Sequence, residues 1–386
     1  MISAPISKNR CEQNAHIVNS KPATDYPNYT GKDYHHERAE NACRFGMLHL
    51  LCKCALAYGL LLSMNITLSQ IAAAAAQADQ RIRPLVRETP LDESPIFNEQ
   101  TGAQVYLKLE NLQYTGSFKL RGAVNKLLLL SAEERARGVV AASSGNHGAA
   151  VAYAAQRLGI PALIFAPERA SPTKLAAMQR YGAQVHAVGD DSLVSELAGR
   201  AYAQAEGLTY ISPYNDPDVI AGQGTVGVEL ARQLHRLDAL FIAVGGGGLI
   251  GGAGAVLKAH HPGLLVIGCQ PKNSCVMAAS IQAGRILDLP SLPTLSDGTA
   301  GGIEADAITF DLCRQVVDEY VLVGEEEIAA AMRRVMESHH LLVEGAAGVA
   351  VAGLLKVADL VAGKRVAVVL CGANISLATL RSVIGA

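Results

Sequence analysis

Short apolar runs, each followed at once by a helix-period pattern, constrain this chain's fold more than any other feature. Val139–Ala142 leads into a helical stretch around Gly148–Leu158, Ala162–Ala166 into Ser171–Tyr181, and Val185–Val188 into Leu193–Glu206. Phe241–Val244 passes through Gly245-Gly-Gly-Gly248 into a helix ending near Ala259, and Val266–Gly268 and Val366–Leu370 supply later strands. Strands that are apolar along their whole length are buried on both faces, and strand–helix alternation covers those faces with helices over a parallel sheet. The chain therefore reads as α/β, with two interleaved lobes, each a mostly parallel sheet flanked by helices. Residues 64–133 and 214–386 make the large lobe and 134–213 the small one. No fixed-period repeat interrupts this organisation.

Ahead of the first unit the signals are local. A helical pattern from Ile71 to Ile82 stops at Arg83-Pro84, and Ala103–Glu110 alternates as a half-buried strand does. Thr89 is extended, because a residue before proline is pushed out of the helical region. A helix over Ser117–Leu130 with Ser117 as its N-cap places Lys119 in the first turn.

Composition excludes several classes of function. Lys plus Arg (33) nearly balances Asp plus Glu (35), so nothing favours nucleic acid, and a chain without tryptophan offers little surface for stacking bases. The apolar run Phe45–Leu62 contains His49 and Lys53 and is too short for a membrane helix, which needs roughly 20 apolar residues. It also starts too far along the chain for a signal peptide. Residues 1–63 read as a non-native or poorly ordered extension, with the natural start near Met64. Its Cys11, Cys43, Cys52 and Cys54, with His16, His35, His36 and His49, match no zinc spacing. Cys269, Cys275, Cys313 and Cys371 form no CxxC pair and read as free thiols of a reducing, cytoplasmic compartment.

Three loops carry the chemistry. Thr115-Gly-Ser-Phe-Lys-Leu-Arg-Gly-Ala123 presents Lys119, Ser143-Ser-Gly-Asn-His-Gly148 opens a helix, and Gly245–Gly248 joins a strand to a helix. Glycines and helix N-termini let backbone N–H groups approach an anion closely. One lysine, one phosphate-sized nest and one carboxylate-sized nest point to pyridoxal phosphate chemistry on an amino acid. Each element also has a plain structural reading: Lys119 as a surface lysine of an amphipathic helix, the glycines as a tight turn, Asn146 as a helix cap.

The strings GSFKLRGA, SSGNHG, GQGTVGVE and VGGGG, with a late CGANIS, together resemble the serine/threonine dehydratase family, which includes serine racemase. The resemblance covers about Leu68 to Ile384. It implies the tryptophan synthase β-like (fold type II) pyridoxal phosphate fold, and dehydration and deamination of a β-hydroxy amino acid such as L-threonine or L-serine to a 2-oxo acid and ammonia. Carried onto this chain, it makes Lys119 the residue that bonds the cofactor aldehyde and then acts as base at Cα, with Phe118 beside it. Gly245, Gly246, Gly247 and Gly248 become the phosphate cup, Asn146 the partner of the ring hydroxyl, and Cys371 the neutral neighbour of the pyridine nitrogen. Glu344 lies near the ring. Ser143, Ser144, Gly145, Asn146 and His147 form the substrate-carboxylate loop, with no acid/base role for His147.

Ser144 matches the base that racemases use opposite the lysine, so amino-acid racemisation is the alternative reading. Ser296–Glu304 also resembles a subgroup of hydroxyectoine breakdown, whose substrate would be a hydroxylated diaminobutyrate. Gln270 and Val276 stand where metal-using relatives carry acids, so no metal is expected, and Ala149 replaces a common glutamine. With the chain ending at Ala386, no regulatory domain is expected to follow. A homodimer acting on a small amino acid, without nucleic acid or membrane, completes the expectation.

Overall fold

The computed structural model describes residues 66–190 and 192–385. The readings made for 1–63 fall outside them. Ten strands form two sheets among the described residues. The larger has the order β1 (Leu91–Glu93), β2 (Gln104–Lys108), β10 (Arg365–Val369), β7 (Ala239–Ala243), β8 (Leu265–Pro271) and β9 (Glu319–Val323), parallel throughout except for β1 against β2. The smaller is wholly parallel, in the order β5 (Gln184–Ala187), β4 (Ala162–Ala166), β3 (Val139–Ala142), β6 (Thr209–Tyr210). All four of its strands come from the stretch of chain between β2 and β7, so the chain leaves one sheet, builds the other and returns. Strands β4 and β7 are buried at every residue, as their unbroken apolar runs require.

Local signals set several helix ends. Helix Leu68–Ile82 opens with a capping box between Thr67 and Gln70, and helix Pro217–Gln233 opens on Asp216, whose carboxylate accepts from the Asp218 and Val219 amides. Helix Lys119–Leu129 departs from expectation. Ser117 is not its N-cap: Phe118 holds that position without a side-chain cap bond, and Ser117 pairs instead, as a β-bridge, with Gly372. Backbone bonding to a distant segment has displaced a local cap.

Glycines let the helices behind the site come unusually close. A Cβ on Gly222 would stand 2.6 Å from the Gly122 Cα, and one on Gly224 2.8 Å from the Ala75 Cβ. The GQGTVGVE string is therefore largely a packing device, joining helix Pro217–Gln233 to helices Lys119–Leu129, Leu68–Ile82 and Gly248–His260.

That same string ends in Glu229, which is buried in a charge network whose outer member, Arg83, is partly exposed and donates to Glu229 Oε1 at 2.8 Å. The Arg121 guanidinium donates to Glu110 Oε2 through Nε and to Glu110 Oε1 through Nη2, both at 2.8 Å. Its Nη1 and Nη2 donate to the two oxygens of Glu229, again at 2.8 Å. Lys108 Nζ adds a 2.6 Å bond to Glu229 Oε2, and Thr89 Oγ1 donates to Glu110 Oε1 at 2.6 Å. Burial works against ionised Glu229, but the Arg121 and Lys108 charges outweigh it and hold the carboxyl down at about 2.

Removing one partner from such a network strands buried charge. Arg121→Met is expected to cost about 3–5 kcal/mol, read as a lower urea midpoint, and Arg121→Lys, which keeps the charge but loses the fork, less. An unchanged midpoint in Arg121→Met would contradict this account. Because the carboxyl is depressed from 4.5 to about 2, its contribution should be complete above pH 4.5 and lost as pH falls toward 2, visible as a stability loss that Glu229→Gln no longer shows.

Candidate active site

Helix Lys119–Leu129 begins where the chain passes β10's end. Phe118 N donates to Cys371 O at 3.1 Å, so the backbone on both sides of the Ser117–Gly372 bridge is fixed before the helix starts. Lys119 is thereby aimed into a cavity of about 370 Å³, where its Nζ donates to Pro213 O at 2.8 Å. The side chain keeps partial exposure because it lines that cavity, yet protein surrounds the ammonium. Desolvation lowers its pKa to about 8, against the smaller opposing effects of Cys371 and Glu344.

The second wall comes from the other sheet. After β3, Ser143 N donates to Phe165 O and the Gly145 amide donates to Ser143 Oγ at 3.1 Å, turning the chain into helix Asn146–Leu158. Gly145 is the N-cap, and Asn146 is the first helical residue rather than the cap. Four first-turn amides of any helix lack intrahelical partners, so this turn offers N–H groups and a positive dipole end to an anion. Ser144 lies half-buried at the turn. His147 is buried, and its Nε2 lies 2.8 Å from Ile211 O. Burial and then the nearby Lys119 charge push its pKa down to about 3, so the ring is neutral and donates Nε2–H to that carbonyl.

Asn146 reaches away from its helix. Its Nδ2 lies 2.8 and 3.0 Å from the Glu344 oxygens, and its Oδ1 accepts from Asn374 Nδ2 at 2.6 Å. Glu344 is 3% exposed and is the N-cap of helix Gly345–Lys356, although its carboxylate makes no cap bond there. Burial raises its pKa to about 7, with the Asn146 hydrogen bond pulling the other way. Cys371 is buried, and that desolvation holds its thiol protonated.

The glycine loop closes the third side. β7 ends at Ala243, and helix Gly248–His260 starts after Gly247, whose φ of +84° suits glycine. A Cβ on Gly246 would run into the Tyr214 ring, and one on Gly245 would stand 3.0 Å from the Thr299 Cα. The cradle is thus shaped by residues without side chains, with helix amides pointing into it. Over the cavity lies the Ser296–Glu304 loop. Asp297 reaches Lys174 at 3.0 Å and Glu304 reaches Arg200 at 2.9 Å, so the loop is tied at two points to helices flanking the smaller sheet.

Every candidate read from the sequence lines this one cavity: Phe118, Lys119, Ser143 to His147, Gly245 to Gly248, Glu344 and Cys371. Three participants escaped that reading. Asn374 lies within CGANIS and could have been weighed there. Tyr214 and the Pro213 carbonyl carry no motif, and only the return of the chain from the smaller sheet puts them against Lys119 and Gly246. Gln270 spends its amide inside the protein, donating to Val244 O at 3.0 Å and accepting from Ala278 N at 2.8 Å.

Comparison with known proteins agrees with this geometry. Residues 82–372 match the family model for pyridoxal-phosphate dependent enzymes. The L-threonine ammonia-lyase of Thermotoga maritima is 44% identical over 301 residues, covering 78% of this chain and 75% of that protein. Among solved structures, the processed form of threonine deaminase isoform 2 from Solanum lycopersicum superposes with a TM-score of 0.78 at 33% identity, over 82% of this chain and 92% of that one. Maize serine racemase gives a TM-score of 0.77 at 32% identity, over 81% and 96%.

The depressed lysine is directly measurable. In cofactor-free protein, acylation of Lys119 by a small amine-directed reagent should rise with pH along a curve centred near 8, because only the neutral amine reacts. A midpoint at the ordinary 10.5 would show that burial does not lower it.

Proposed function

Because the chain belongs to the family of pyridoxal-phosphate dependent enzymes, we propose that it eliminates water from a β-hydroxy amino acid, L-threonine or L-serine, releasing ammonia and a 2-oxo acid. The observation that carries this reading is the meeting of Lys119, whose amine is unusually ready to lose its proton, with two helix N-termini around one cavity. The residues fit the cofactor: an aldehyde needs a neutral amine, and a phosphate needs a cradle of amides that a Cβ would fill. Lys119 would bond the cofactor, Gly245 to Gly248 would hold its phosphate, Asn146 its ring hydroxyl, and Cys371 would face its ring nitrogen beside Phe118 and Glu344. When bound, the cofactor supplies an electron-withdrawing ring that takes up charge from the substrate Cα.

The chain's own residues do the rest. Amides at the start of helix Asn146–Leu158, in the loop from Ser143 to His147, receive the substrate carboxylate. Lys119, freed once the substrate amine has taken its place, would remove the Cα proton. The β-hydroxyl would leave as water with a proton given by the phosphate held at Gly245 to Gly248, and the released enamine would tautomerise and hydrolyse to the 2-oxo acid and ammonia. His147, neutral and bonded to Ile211 O, takes no proton in this scheme. The Cys371 thiol, protonated in its buried site, would face the ring nitrogen as a neutral group and supply no carboxylate counter-charge there.

Two wider expectations belong to the same proposal. Leu377 (73% exposed) and Ile384 (61%) give the last helix apolar surface on which a second copy could pair, and sedimentation of the purified chain tests the dimer. Cys269, Cys313 and Cys371 are buried free thiols, which supports a reducing, cytoplasmic setting. Among the described residues, no helix is long and apolar enough to cross a membrane.

The deciding assay measures 2-oxo acid release from L-threonine, L-serine, threo-3-hydroxyaspartate and hydroxy-diaminobutyrate. Release from threonine or serine, reduced by roughly 10⁴-fold in Lys119→Ala, is the expected result. Release from hydroxy-diaminobutyrate alone would move the substrate to the hydroxyectoine type. Inversion of serine without release, abolished by Ser144→Ala, would replace the lyase with a racemase.

A further inference from the structure

Three side chains from separate segments meet beside the cavity: Asn146 at the start of its helix, Glu344 ahead of helix Gly345–Lys356, and Asn374 in the loop after β10. We propose that Asn374 is a positioning residue for the elimination, setting the orientation of the Asn146 amide and through it the grip on the cofactor's ring hydroxyl. This rests on the role given to Asn146 above.

The orientation follows from which groups can only accept. The Thr115 carbonyl has no hydrogen to give, so Asn374 must turn Nδ2 toward it, at 2.8 Å. Glu344 accepts the Asn374 backbone N–H at 3.2 Å, and Asn146 turns its Nδ2 to the same carboxyl. Asn146 Oδ1 is then left facing Asn374, whose second Nδ2 hydrogen fills it at 2.6 Å. Flipping Asn146 would set amino group against amino group and carbonyl against carboxylate; flipping Asn374 would set oxygen against oxygen twice. Donation therefore runs outward from Asn374, to Thr115 O on one side and through Asn146 to Glu344 on the other, in a single self-consistent arrangement.

Packing holds this chain in place. A Cβ on Gly116, where φ is +72°, would stand 2.9 Å from Asn374 Oδ1, and one on Gly372 would run into the Glu344 carboxylate. The effect spans the two sheets. Thr115 belongs to the loop that presents Lys119, whereas Asn146 begins the helix that follows β3. Asn374 is the direct link that sets the base-bearing loop in register with the anion-binding turn, and no other side chain bonds both Thr115 O and Asn146 Oδ1 among the described residues.

The test is a double-mutant cycle on pyridoxal phosphate affinity, read by absorbance titration of the cofactor-free full chain. Asn146→Ala and Asn374→Ala should each weaken binding by about tenfold, the scale of one lost hydrogen bond, and the double variant should bind no worse than Asn146→Ala alone. Asn374→Asp, equal in size but unable to donate to Thr115 O and Asn146 Oδ1, should fall with Asn374→Ala rather than with the wild type. Additive losses would overturn the inference, because Asn374 would then act independently of Asn146. Wild-type affinity in Asn374→Asp would overturn it as well. An Asn146→Ala variant with undiminished affinity would sink both this inference and the reading of Asn146 on which it stands, whereas a loss there that Asn374→Ala does not share would sink this inference alone.

Discussion

Arg121 sits between Glu110 and Glu229 with no solvent to share, and the placement of the lysine two residues earlier depends on it. Helix Lys119–Leu129 has no side-chain cap, so its start is set from outside. On one side Phe118 N is bonded to Cys371 O; on the other the guanidinium clamps the first turn to the residues after β2 and to helix Pro217–Gln233. Isolated charges at such depth would cost several kcal/mol each. Here three cations, Arg121, Lys108 and the partly exposed Arg83, face two carboxylates with nearly every polar atom bonded. A planar fork suits this task because it fixes direction as well as charge.

Close helix packing does the complementary work. Where Gly222 meets Gly122 and Gly224 meets Ala75, backbones approach to distances that any larger side chain forbids. The same economy of side chains recurs at the glycine loop, where Tyr214 occupies the room a Cβ on Gly246 would need. In the first place the absent side chains bring helices together; in the second they leave backbone amides bare for an anion. One residue type thus serves packing and chemistry for a single reason, the removal of atoms between a backbone and its neighbour.

Burial also tunes the two ionisable groups that face each other across the site. Desolvation disfavours charge on either sign of group, so it lowers Lys119 to about 8 and raises Glu344 to about 7. The Glu344 charge opposes the Lys119 shift without reversing it; at Glu344 the Asn146 hydrogen bond is the main opposing effect. A lysine lowered toward 8 gives up its proton near neutral pH at small cost, which a base at Cα requires. The same desolvation keeps His147 neutral and Cys371 protonated, removing two groups that could otherwise compete for the proton.

Much of this was legible in one dimension. Lys119, the Ser143–His147 turn and Gly245–Gly248 are local: each works through a short run of backbone, and a run of glycines or a serine-rich turn before a helix is visible without tertiary structure. Apolar runs such as Ala162–Ala166 likewise announced doubly covered strands, because burial on both faces leaves no polar position. The edge strand Glu319–Val323, exposed at its first residue and only partly buried along its length, gave no such run. Tertiary structure alone decided that Ser117 bridges Gly372 instead of capping its helix, and that Glu110 and Glu229 lie in the interior rather than on a solvated face. It also alone put Tyr214 against Gly246 and Asn374 between Thr115 and Asn146. Those outcomes depend on pairings between residues far apart in the chain, whose hydrogen bonds and exclusion of water come into being only when the two sheets are built.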